Sequence, residues 1–259
     1  MTAELRTERH DATLVLTLSD PSARNALSPQ VSVAAVEALN VAETDPQVRA
    51  VVITGDGAHF SAGGNLNRLA RNRELEREVQ AASIDALHQF IEALRAFPKP
   101  VVAAVEGAAA GAGFSIVLAC DLVIAAENAR FSMAYGRVGL SPDGGGSWHL
   151  ANALPRPLAL RCLWLGEPLS ARELQAHGLV NDVTDAGRAL PQALAIAERL
   201  ARCAPNAVAS AKELVNQARG SALGDHLAAE RSHFVANLFH ANAGEGLQAF
   251  FEKREPRFR

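Results

Sequence analysis

The chain is short of the residues that would staple it, carry it into a membrane or fasten it to nucleic acid. Only three cysteines occur among 259 residues, Cys120, Cys162 and Cys203. They lie far apart, are odd in number and form no C-x-x-C pair. That argues against a disulfide frame or a zinc site and predicts buried thiols of a reducing compartment. Neither sign of charge dominates: 25 Lys and Arg stand against 28 Asp and Glu, for a net charge of −3. Without a basic stripe, no nucleic-acid partner is expected. Long apolar runs are missing too, since stretches such as "VVAAV" and "LVIAA" are far too short to span a bilayer. The start, "MTAELRTERHDATLVL", has no apolar signal core behind a basic lead. A cytoplasmic protein with no membrane partner is expected. No linker and no repeat of fixed period stands out.

What is present is a core-forming composition, 49% hydrophobic and 20% charged. "ATLVLTL" (12–18) alternates and is rich in β-branched residues, which predicts a strand. Ser28 followed by Pro29 is an N-cap and a first-turn proline, so a helix should run to about Thr44. "VRAVVITG" (48–55), "VVAAVEG" (101–107) and "DLVIAAE" (121–127) predict buried strands. Between the first two, a long charged helical stretch should close at Pro98 and Pro100. "GAGFSIVLAC" (111–120) predicts an apolar helix, and "SARE" (170–173) a capping box whose helix stops at Gly178. "LVNDV" is a last short strand, and helical signals run from Pro191 to about Phe251. Strand–helix alternation followed by helices predicts an α/β core, residues 1–195, with a helical extension, 196–259.

Several stretches could carry chemistry. Each also has a bland reading. "FSAGGNL" could aim backbone N–H groups at a ligand oxygen, or be a loop needing positive φ. "GAAAGAGFSI" could bring a ligand to a helix N-terminus, or pack a helix closely on a sheet. Its glycines match neither a dinucleotide fingerprint nor a P-loop. Ser115, in "GFSIV", lacks the second glycine of a nucleophile elbow and reads as a helix serine bonded back to the main chain. His226, His233 and His240 repeat every seven residues, which is not zinc spacing. His88 reads as a structural histidine. Asp143, in "GLSPDGGGS", is a turn former just ahead of a helix, in a normal N-cap place.

Taken together, "ITGDGAHFSAGGNL", "PKPVVAAVEGAAAGAGFSIVLACDLVIAAENARF", "GLSPDGGGS", "LSARELQAHGLVNDV" and "GLQAFFEKREPRF" resemble the crotonase (enoyl-CoA hydratase/isomerase) superfamily, in its order and over nearly the whole chain. The resemblance implies a spiral of β-β-α units, with C-terminal helices that help form trimers or hexamers. It implies an acyl-CoA thioester as substrate, with coenzyme A arriving as part of that substrate and no separate cofactor or metal. The thioester oxygen would be held by the N–H groups of Gly64 and Ala112, each worth about 3 kcal/mol. CoA would run along Arg24, Ala26 and Leu27 and along Ala62, Gly63, Asn65 and Leu66, with Gly111 beside it. Lys253 would reach it from the same or a neighbouring subunit.

The departures matter as much. Where family hydratases carry two glutamates, this chain has Ser115 and Tyr135, which would contact the substrate but cannot serve as a carboxylate acid or base. The acid that remains is Asp143, as in enoyl-CoA isomerases of the phenylacetate-degradation type, where one Asp moves a proton between carbons. Three other readings are hydration by Asp143 alone, aryl-CoA dehalogenation with His88 and Asp143, and a non-catalytic acyl-CoA- or RNA-binding relative. A serine hydrolase working through Ser115 is a fourth.

Overall fold

The computed structural model describes residues 3–259. A hairpin starts the fold: β1 (Glu4–His10) pairs antiparallel with β2 (Thr13–Ser19). Helix α1 (Pro29–Thr44) follows, with Ser28 Oγ accepting from the Val31 N–H at 3.3 Å. A cap of this kind contributes about 1 kcal/mol. Strand β3 (Ala50–Gly55) lies parallel to β2. The charged stretch after it is two helices rather than one, α2 (Leu66–Asn72) and α3 (Arg77–Ala96). The break falls at a run with no glycine or proline to announce it. Strands β4 (Val101–Val105) and β5 (Ala108–Ala110) lead into α4 (Ala112–Ala119).

The second half continues with β6 (Leu122–Ala126), β7 (Arg130–Ser132), α5 (Gly146–Ala153), α6 (Arg156–Leu165), β8 (Leu169–Ser170) and α7 (Ala171–Ala176). The capping box at Ser170 and Glu173 is formed in full. Strand β9 (Asp182–Thr184) completes a six-stranded sheet in the order β1-β2-β3-β4-β6-β9, parallel except for β1. A second sheet holds β5, β7 and β8. Helices α8 (Ala189–Ala201), α9 (Pro205–Ala218), α10 (Leu223–Leu238) and α11 (Ala241–Glu252) end the chain. This is the expected α/β spiral with a helical extension.

Both faces of the large sheet are covered, which is why β3 and β4 read as unbroken apolar runs. On one face Val15, Val52, Val102, Ala104 and Ile124 meet Ala189, Ala193 and Ala197 of α8. Alanine every fourth residue lets that helix lie close to the strands. On the other face Leu16, Val51, Ile53, Ala103 and Val105 pack on α1, α3 and α4 through residues such as Ala35, Phe90 and Phe114. Since α8 belongs to the core, the expected 195/196 boundary falls inside a helix.

Helices α9 and α10 contain no buried residue. One tether is Lys212, whose Nζ donates to Leu94 O, Lys99 O and, at 2.8 Å, Asp121 Oδ2. Beyond it the extension shows Phe234, Phe239, Phe250 and Phe251 to solvent, Phe239 at 84%. Cys120 and Cys162 are buried as expected, but Cys203 is exposed, because it lies just past the end of α8 rather than on its core-facing stripe.

Candidate active site

The first wall of the site is a pair of loops knitted by main-chain bonds. Ala62 N donates to Arg24 O at 2.9 Å and Leu27 N to Gly63 O at 2.8 Å. The residue that makes this possible is Asn25, buried and left-handed at φ 56°. Its amide donates to Asp56 O and His59 O, its side-chain oxygen accepts from Asp20 N, and its carbonyl accepts from Ser61 Oγ. A buried amide with all its partners in place fixes both loops at once. Asn is tolerant of that backbone region, the one signal that could have marked it in the sequence. Arg24 is exposed, while Ala26 and Leu27 are buried.

The second wall is the turn from β5 into α4. Gly63 (φ +83°) lies so close to it that an added Cβ would stand 2.4 Å from Ala110 O and 3.1 Å from Ala112 N. That approach, closed to any other residue, sets Gly64 beside the start of α4. Ala112 is the first residue of α4, so its N–H has no intrahelical acceptor. Among the described residues, nothing accepts from the N–H of Gly64 either. The loops that carry the two N–H groups expected from the resemblance therefore adjoin, and among the described residues neither group donates to a protein carbonyl. Asn65 caps α2 by accepting from Arg68 N, which commits its side chain to the fold, and Leu66 is exposed on the first turn.

The third wall carries the acid. After β7 the chain makes a short helical turn, Ala134–Val138, that holds Tyr135 half-buried. The Tyr135 hydroxyl donates to Asp143 Oδ1 at 2.5 Å, the short end for a hydrogen bond to a carboxylate. The ring lies over Gly111 (φ +51°), where an added Cβ would stand 3.4 Å from Cζ and Oη. Tyr135 thus bridges Asp143 to the residue that precedes Ala112. Burial first, and then the neighbouring Asp143 carboxylate, push the phenol pKa above its ordinary value. It keeps its proton and acts as donor. An unfolded chain would ionise this phenol near pH 10. The stability it contributes is therefore whole below that pH and is lost as the pH climbs above it.

Asp143 is not the N-cap expected of it. Helix α5 is capped by Gly145 without a side-chain bond. The Asp143 carbonyl accepts from Gly146 N at 3.1 Å and from Ser115 Oγ at 3.0 Å, which leaves the carboxylate turned to Tyr135. Ser115 has no exposed surface and donates to the main-chain carbonyls of Gly111 and Asp143. The bond to Gly111 O, four residues back, is that of the expected helix serine bonded to the main chain. With no exposed surface, Ser115 fits neither the expected substrate contact nor a hydrolase nucleophile. Gly144 is packed against it, since an added Cβ would meet Ser115 Cβ at 2.9 Å.

His88 is exposed on α3. A histidine that the sequence reading passed over, His149 of α5, lies by contrast buried beside Gly145. Burial and, next, Arg95 lower its pKa to about 4, so it is neutral at neutral pH. Lys253 is an exposed C-cap of α11 (φ 55°). That helix packs on α10, so within one chain the structure does not bring Lys253 to the three walls.

A spiral α/β core that presents two unclaimed N–H groups and one half-buried carboxylate has the parts of an enzyme site. The enoyl-CoA hydratase/isomerase family model matches residues 8–259. The chain belongs to that family and is an enzyme of acyl-CoA metabolism. It is 38% identical over 257 residues to 2,3-dehydroadipyl-CoA hydratase of Escherichia coli, covering 99% of each chain. It is 40% identical to a putative enoyl-CoA hydratase of Thermus thermophilus over 94% of this chain and 96% of that one. A crystal structure of an enoyl-CoA hydratase from Polaromonas sp. JS666 superposes with a TM-score of 0.98 at 57% identity, covering 99% of this chain and 100% of the other.

Proposed function

We propose that the protein is an enoyl-CoA isomerase in which Asp143 carries a proton from one carbon of the acyl chain to another while Gly64 and Ala112 hold the thioester enolate. The observation that supports this over water addition is the acid itself. One carboxylate stands at the site, and the places of a hydratase's glutamates hold a buried serine and a proton-donating phenol. Double-bond migration needs one base, because the proton removed is the proton returned. Water addition needs a group for the water and a proton source for the α-carbon. Hydration by Asp143 is the second reading, favoured by the hydratase names of the relatives above.

The acyl-CoA would lie along Arg24–Leu27 and Ala62–Leu66 with its thioester at the two N–H groups. Ala26 and Leu27 are buried, so they would offer main-chain contacts, and Arg24 a charge for a phosphate. The exposed phenylalanines of α10 and α11 form the kind of apolar surface that copies of a chain cover. We propose a trimer, or a hexamer of two trimers, in which Lys253 serves a neighbour's CoA. The cytoplasm is the compartment proposed; among the described residues no helix is long and apolar enough to cross a membrane.

The test is to incubate the protein with 2-enoyl-, 3-enoyl- and aryl-CoA thioesters in deuterated water and weigh the products. An isomerase returns product of unchanged formula, carrying at most exchanged deuterium. A product heavier by the elements of water would overturn the isomerase in favour of the hydratase. Sedimentation as a 27.4 kDa species at micromolar concentration would overturn the trimer.

A further inference from the structure

Tyr135 is the only tyrosine in the chain. Three observations single it out. Its hydroxyl donates to Asp143 Oδ1 at 2.5 Å. Its ring is seated on Gly111, one residue before the free N–H of Ala112, where an added Cβ would stand 3.4 Å from Cζ and Oη. Among the described residues, no donor reaches the other carboxylate oxygen, Oδ2. Rotation about the last bond of an Asp side chain is broad and two-fold, so an unrestrained carboxylate presents either oxygen in many directions. A donor on one oxygen removes that freedom, and a hydrogen bond to an ionised acceptor is about twice as strong as one between neutral groups.

We infer that Tyr135 is a positioning residue: it holds Asp143 by Oδ1 and leaves Oδ2 as the single oxygen that takes and returns the proton. The inference rests on the reading of Asp143 as the acid/base. In the forward step the α C–H bond breaks, its proton forms the Oδ2–H bond and the electron pair moves into the thioester enolate. In the return step the Oδ2–H bond breaks, the proton goes to the γ-carbon and the double bond comes to rest between the α- and β-carbons. The phenol keeps its own proton throughout, in line with the raised pKa that burial and Asp143 impose on it.

Two measurements test this, and the first needs no turnover. A single tyrosine makes the phenolate band in the ultraviolet spectrum report on Tyr135 alone. In the wild-type protein the band should stay absent until alkali unfolds the chain. In Asp143→Asn it should grow in at lower pH while the protein is still folded, because the carboxylate that opposes ionisation is gone. An unchanged titration in Asp143→Asn would overturn the pairing. The second is Tyr135→Phe on a 3-enoyl-CoA in deuterated water. Loss of one hydrogen bond to a charged group should lower kcat by about 10–100-fold, with KM within about twofold and the thermal midpoint near wild type. The product should carry more deuterium, since a loosely held acid exchanges its proton before returning it. Were Asp143→Asn to keep full turnover, the acid/base reading itself would fall. Were Asp143→Asn inert while Tyr135→Phe matched wild type in both kcat and deuterium content, only the positioning inference would fall.

Discussion

Asp143→Asn should lower double-bond migration by roughly 10²–10⁴-fold, the usual worth of a positioned acid/base, while acyl-CoA affinity and thermal stability stay close to wild type. The structure explains why stability should hold. Asp143's bonds to the fold run through its carbonyl, which accepts from Gly146 N and Ser115 Oγ, and Asn keeps that carbonyl. Its side-chain bond is to the Tyr135 hydroxyl, and the Asn oxygen can still accept it. What Asn cannot do is take up and return a proton. Steady-state rates with calorimetric titration of an acyl-CoA would settle the matter. Wild-type turnover in the variant would discard the mechanism. Lost turnover with a lowered melting temperature would assign Asp143 to the fold instead.

Ala112→Pro should cost about 10²–10³-fold in kcat, the loss that follows removal of one oxyanion donor. The substitution is chosen for its position. Ala112 is the first residue of α4, the helical position where proline is best tolerated because its missing N–H is unpaired anyway. A helix that forms normally and a rate that collapses would therefore separate the donor from the scaffold. Circular dichroism checks the first and turnover the second. A proline variant with near-wild-type kcat would remove Ala112 from the mechanism, whatever became of Asp143.

How much of this could be read beforehand depended on where the information resides. Strands β2, β3, β4 and β6 and helices α1, α4 and α7 were legible because burial and capping are local in sequence: β-branched runs, Ser28 with Pro29, Ser170 with Glu173. Strand β1 was not, since an edge strand needs no apolar pattern and "ELRTERH" is exposed at nearly every position. The α2–α3 break escaped because tertiary packing makes it rather than a breaker residue. At the site, the glycine loops were visible as loops, and the resemblance supplied the pairing of Gly64 with Ala112. Three other features were hidden: the bond from Ser115 to the Asp143 carbonyl, the loop-tying role of Asn25 and the bond from Tyr135 to Asp143. Each depends on contacts between different loops and turns, at separations of 28, 36 and 8 residues for the bonds that matter most. Even the shortest of these is set by a turn whose course no local rule dictates.

The close packing behind Asp143 bears on how such a site can change over generations of mutation. At Gly144 an added methyl would run into Ser115, and at Gly146 it would stand 2.7 Å from Met133 Cε and 2.8 Å from Ser115 Oγ. With Gly144 and Gly145 also in the left-handed region, substitutions on that side should cost stability as well as any change in chemistry. Residues 66–89 of α2 and α3, apart from buried Leu87, are exposed or half-buried, so side chains there can be exchanged at little cost. A randomised library confined to 144–146 should yield few soluble clones, and one spread over 66–89 many. New acyl groups would then be admitted from the α2–α3 side, around an acid that does not move.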